Sequence, residues 1–156
     1  MKFIYALFFV PFFANAVAIQ SIIDELEKRE TITPADLYQN GEAVFAENLN
    51  EHRYIKVSMT EYRVAETIKF NGVMSDSDKG IYGIDQCRVL FSGVIPNAKR
   101  ANWDDDTPEA KRLDQFFETI KYDGIKNNGE RKAKIKGWNL YVNLKVDQVW
   151  CFARKA

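Results

Sequence analysis

The sequence predicts an α+β fold: one domain in which an antiparallel sheet of about five or six strands packs against two or three helices, behind a cleaved signal peptide. Three observations lead there. The chain has 156 residues, enough for one domain and short for two. Its apolar residues recur at helical spacing near the start, at period two in the middle, and at both periods toward the end. Its first residues have the layout of an export signal.

That signal opens with Met1 and Lys2, runs through the apolar stretch Phe3 to Phe13, and ends on Ala14-Asn15-Ala16, with small residues at −3 and −1 of a cleavage site. The apolar run falls short of the roughly 20 residues needed to span a bilayer. Residues 1–16 therefore read as the signal, with an alternative cut after Ala18, and residues 17–156 as the domain. The expected location is outside the cytoplasm, periplasmic or extracellular. None of the eleven asparagines begins a glycosylation sequon, which leans toward a periplasm.

The first expected helix places Ile19, Ile22, Ile23 and Leu26 on one stripe and ends near Glu30. Thr33-Pro34 has the form of an N-cap followed by proline at the first helical position. Leu37, Tyr38, Val44, Phe45 and Leu49 continue at helical spacing, so a second helix is expected there, weakened at Gly41. From Arg53 the period is two: Ile55, Val57 and Met59 alternate with Tyr54, Lys56 and Ser58. A second strand follows with Tyr62, Val64, Ile68 and Phe70 on one face and Glu66 as the exception. Asn71-Gly72 and Ser75 to Gly80 read as a long hairpin tip, and Ile81 to Ile95, dense around Val89-Leu90-Phe91, as the returning strand.

Asp104-Asp105-Asp106-Thr107-Pro108 announces another helix, with Ala110, Leu113, Phe116, Phe117 and Ile120 on its apolar face and Asp123-Gly124 at its end. Strands return at Arg131–Lys136. They continue where Trp138, Leu140, Val142, Leu144 and Val146 alternate with Asn139, Tyr141, Asn143 and Lys145, and finish over Val149–Phe152.

Cys87 and Cys151 are the only cysteines, and an even pair in an exported chain reads as a disulfide. A single histidine, His52, excludes multi-histidine metal sites and most triad chemistry. No glycine-rich phosphate loop, CxxC pair or serine elbow is present, and no cofactor is implied. Asp76-Ser77-Asp78-Lys79-Gly80 resembles the start of a calcium loop but lacks the third acidic position and the closing glutamate. Asp104, Asp105 and Asp106 suit a helix N-terminus, where negative charge is favoured, better than an acid/base pair.

Charge is unevenly distributed. Residues 17–120 carry 12 basic and 19 acidic side chains, whereas residues 121–156 carry 9 basic and 3 acidic. Within the basic end, Lys132, Lys134 and Lys136 fall at period two, so all three are expected on one strand face, with Tyr141 on the polar face of the next strand. Such a face can receive an acidic protein or another anionic partner, nucleic acid being the least favoured. The expected function is an exported, non-enzymatic binding protein, such as an immunity or inhibitor protein or a virulence accessory. Two alternatives stand beside it: a small exported hydrolase using Asp76 and Asp78 or Asp104 to Asp106, and a binder of a small apolar ligand lined by the abundant aromatics.

Overall fold

The computed structural model describes residues 14–72, 74–99, 106–127 and 129–156. Among these, seven strands form one sheet in the order β1–β2–β3–β4–β7–β6–β5, every neighbouring pair antiparallel. The strands are β1 Leu37–Asn40, β2 Ala43–Leu49, β3 Arg53–Met59, β4 Arg63–Phe70, β5 Glu130–Ile135, β6 Trp138–Leu144 and β7 Gln148–Lys155. Three helices, α1 Ala14–Lys28, α2 Asp76–Val94 and α3 Pro108–Asn127, cover one face of it. The α+β class and the antiparallel sheet are as the sequence predicts. The sheet has seven strands against about five or six expected, α3 runs past Asp123-Gly124 to Asn127, and two whole segments take a different form.

The segment from Leu37 to Leu49 is a hairpin and not a helix. Thr33-Pro34 does begin a helical turn, Pro34–Asp36, in which the Asp36 carboxylate accepts from the Thr33 amide at 2.7 Å. The turn stops there. Gly41 sits at φ +62°, which glycine adopts without strain and which reverses the chain from β1 into β2. The apolar residues then divide between the two sheet faces. Leu37 pairs with Ala46 on the helix side, while the Tyr38 and Phe45 rings stack on the other, 5.2 Å apart.

The second correction is Ile81 to Ile95, expected as a strand and found as most of α2. Ser75 to Gly80 is its start: the Ser75 Oγ accepts from the Asp78 amide at 3.1 Å, an N-cap. Its buried residues Gly80, Gly83, Cys87, Leu90 and Val94 recur every three or four positions. Glycines that weaken a helix in isolation are points of close approach here. A methyl group at Gly83 would collide with Val149 of β7, and one at Gly93 with Ile22 of α1.

The core lies between sheet and helices. Ile22 and Leu26 of α1, Leu90 and Phe91 of α2, and Leu113, Phe117 and Ile120 of α3 are buried against Ile55, Val57, Met59, Ile68 and Val142. Phe91 and Phe117 stack with centroids 5.8 Å apart. Cys87 of α2 and Cys151 of β7 form a disulfide, both fully buried, with Cα atoms 5.9 Å apart. The bridge ties a helix to a strand rather than one strand to another.

Among the buried polar residues, Thr31 and Gln86 pair with each other at 3.3 Å, whereas Glu66 is a carboxyl set into the core. Glu66 pairs across the ladder with Val57 on one side and Cys151 on the other, facing the helices. It is 1% exposed, and neither carboxylate oxygen has a hydrogen-bond partner. Burial pushes its carboxyl up to about 8, so at neutral pH it holds its proton.

Two predictions follow from these contacts. The bridge closes a loop of 64 residues, and replacing both cysteines with alanine should lower unfolding free energy by about 2–5 kcal/mol in denaturant titrations. Glu66 holds its proton in the folded chain up to about 8, whereas the unfolded chain releases it near 4.5. The folded state thus binds more protons across that window, and stability should fall as pH rises through it, by an amount on the order of 3–5 kcal/mol. Glu66→Leu should abolish most of this slope and raise stability at pH 8; an unchanged pH profile would contradict the assignment.

Candidate binding face

Helices occupy one side of the sheet, and pairing register fixes what the other side carries. Lys132 of β5 lies beside Tyr141 of β6, Tyr141 beside Phe152 of β7, Phe152 beside Ala65 of β4, and Ala65 beside Ser58, Phe45 and Tyr38 in turn. A second row runs Lys134, Asn139, Arg154, Arg63, and a third Glu130, Asn143, Trp150, Thr67, Lys56, Glu47. With Lys69 beside Tyr54 and Gln148, the strands place six cations on this face, Lys56, Arg63, Lys69, Lys132, Lys134 and Arg154, against two carboxylates, Glu47 and Glu130. All six cations are exposed.

Aromatic rings occupy the middle. Tyr141, Trp150 and Phe152 form a half-buried triad with all centroid separations between 5.1 and 5.2 Å. The Asn143 amide donates to the Tyr141 hydroxyl at 3.2 Å. Lys132 Nζ is 2.8 Å from Glu130, and this contact, followed by the hydrogen bond from Tyr141, holds the Glu130 carboxyl below its usual range. Lys56 does the same to Glu47 through a direct ion pair.

The structure therefore brings Lys132, Lys134 and Tyr141 together on one surface. Lys136 is not on it. The period-two alternation ends at Ile135, and Lys136-Gly137 forms a two-residue turn with φ values of 47° and 78°, the left-handed pair that joins tightly connected strands. From there Lys136 reaches the helix side, where its Nζ is 3.0 Å from Glu109 of α3 and holds that carboxyl below its usual range.

Sequence reading did not find Arg63, Trp150, Phe152 and Arg154. The alternation Gln148, Trp150, Phe152, Arg154 opposite Val149, Cys151, Ala153 was available as a signal for three of them. Nothing local places Arg63 beside them, because β4 and β7 are distant in sequence.

The remaining candidates have separate positions. His52 is exposed in the turn between β2 and β3, 3.2 Å from Glu51. Asp76 and Asp78 lie in the first turn of α2, where Asp76 faces Lys79 at 3.6 Å and Asp78 accepts from Ser75. Asp106 precedes α3 and pairs with Lys111 at 3.2 Å; Asp104 and Asp105 lie outside the described residues. Among the described residues no group of three or more His, Cys, Asp or Glu side chains could hold a metal ion, and no helix is long and apolar enough to cross a membrane. No protein-family model matches the chain, and neither a curated protein nor a solved structure matches it.

Proposed function

We propose that this is an exported, non-enzymatic binding protein that engages a protein or anionic partner through the helix-free face of its sheet, in the manner of an immunity or inhibitor protein or a virulence accessory. The observation that carries the reading is the excess of six cations over two carboxylates around the Tyr141, Trp150 and Phe152 rings. Tyr, Trp and Arg are the side chains that dominate binding energy at protein interfaces, and a one-signed field steers an oppositely charged partner toward them. Export is supported by the charged start, the apolar run Phe3 to Phe13, the small residues before Val17, and the buried disulfide. A cut after Ala16 or Ala18 leaves the Ile19, Ile22, Ile23 and Leu26 stripe whole.

N-terminal sequencing of the protein from its native compartment should give Val17 or Ile19; an intact Met1 in the cytoplasm would overturn the export assignment. For the face, the paired reversal Lys134→Glu with Arg154→Glu should weaken capture of the native partner by about tenfold or more while leaving the fold intact, since both side chains are exposed. Arg112→Glu on the exposed side of α3, across the molecule, is the control for net charge. Lys136 is left out of this test because reversing it would set two carboxylates together at Glu109.

A further inference from the structure

The ring geometry on this face points to its occupant: we infer that it binds an acidic polypeptide segment, a run of carboxylate side chains on a partner protein. The inference rests on the binding reading above and adds the chemistry of the partner.

Tyr141 and Phe152 are nearly parallel, 21° apart, with centroids separated by 5.1 Å. Rings lying flat and side by side on the sheet would interpenetrate at that distance, so the two overlap face to face in an offset stack. Lys132, from the strand beyond Tyr141, sets its Nζ over the Tyr141 ring at 5.5 Å. Arg63, from the strand beyond Phe152, sets its guanidinium over the Phe152 ring at 5.5 Å. The result is a four-layer stack of cation, ring, ring and cation across β5, β6, β7 and β4. Trp150 leans on it edge-on, at 64° to Tyr141.

This arrangement disfavours a ligand that would lie flat on Tyr141 or Phe152. A sugar ring or a nucleobase held by aromatic side chains needs a free ring face to lie on. In the Tyr141–Phe152 stack a cation lies over each ring and the rings cover each other, which leaves Trp150 as the ring of the triad with no cation over it among the described residues. What the stack offers instead is ring edges, the positive end of the aromatic quadrupole, together with ammonium and guanidinium groups. The adjoining row adds Lys134 and Arg154, and the Arg63 and Arg154 side chains come from directly paired positions. Guanidinium groups match carboxylates two bonds at a time. A second copy of the chain seated by twofold symmetry would put this net positive face against itself, so the occupant is a different molecule.

The test compares two carboxylate polymers of matched length and charge, poly-L-glutamate and polygalacturonate, titrated calorimetrically against the mature protein. Poly-L-glutamate should bind at least about tenfold more tightly and weaken as salt rises from about 0.05 to about 0.3 M. The paired Lys134→Glu and Arg154→Glu reversal should lose that binding, and Arg112→Glu should keep it. Arg63→Ala, which uncovers the Phe152 face, should weaken poly-L-glutamate and strengthen polygalacturonate. Equal or tighter binding of polygalacturonate by the unaltered protein overturns the polypeptide assignment in favour of a glycan. If neither polymer binds while capture of the native partner stays sensitive to the paired reversal, the acidic-segment assignment fails and the binding face stands. If native capture ignores the reversal, the binding reading itself fails.

Discussion

Everything in this fold depends on the seam between β4 and β7. The strands on either side form two local meanders, β1 to β4 and β5 to β7, each joined by short turns. The seam alone joins residues far apart in sequence, with α2 and α3 lying between them in the chain. Closing such a loop is an entropic cost that must be met before the pairing returns anything. The chain meets it from the helix side. α2 lies against β4 and β7, Gly83 lets its backbone settle onto Val149, and the Cys87–Cys151 bridge fixes it there. The opposite side of the same seam carries the candidate site, since Arg63 belongs to β4 and Phe152 to β7. The candidate face and the disulfide are two sides of one junction.

Against that background Glu66 is informative. It stands in the seam, directly across from Cys151, with no partner for either oxygen. At neutral pH it is a neutral acid, so the fold avoids the far larger cost of a buried ion. It still bears about 1–3 kcal/mol for the unmade hydrogen bonds, together with the cost of holding a proton that the unfolded chain releases. The proton cost begins above about 4.5, grows with pH, and levels off near 8, where the group ionises in its apolar setting. The element most in need of a covalent tie thus also carries a buried, unpartnered carboxyl.

Much of the architecture was legible because alternation is a direct consequence of a sheet with one buried face. Ile55, Val57 and Met59 of β3 and Leu140, Val142 and Leu144 of β6 announce themselves, as does the α3 stripe from Ala110 to Ile120. The disulfide was legible from the even cysteine count and the export-like start of the chain. What was not legible had physical causes. α2 reads as a strand because Val89-Leu90-Phe91 is a continuous apolar run and because glycines are poor helix formers, though Gly83 and Gly93 are where the helix touches its neighbours. The β1–β2 hairpin reads as a helix because Tyr38 and Phe45 make the outer face apolar too. Of the site, the two strand lysines and Tyr141 were visible as a local pattern. The stack was not, since Arg63 and Phe152 meet only through the nonlocal seam.

The cation caps answer a difficulty that a one-sided sheet creates. A face with Tyr141, Trp150 and Phe152 at its centre is a surface that other sheets could cover, and exposed apolar patches of that kind are where proteins associate without selection. Lys132 and Arg63 lie over the two stacked rings, and the net positive charge around them opposes a like-charged surface. The sheet edges are guarded by related means: β1 is only four residues long and ends in Gln39 and Asn40, while β5 points Lys132 and Lys134 outward. Lys132 therefore takes part in both, as an edge guard and as the outer layer of the stack. A partner that brings carboxylates satisfies the same charges that repel every other sheet. On the binding proposal, protection of the apolar rings and choice of partner are one electrostatic arrangement.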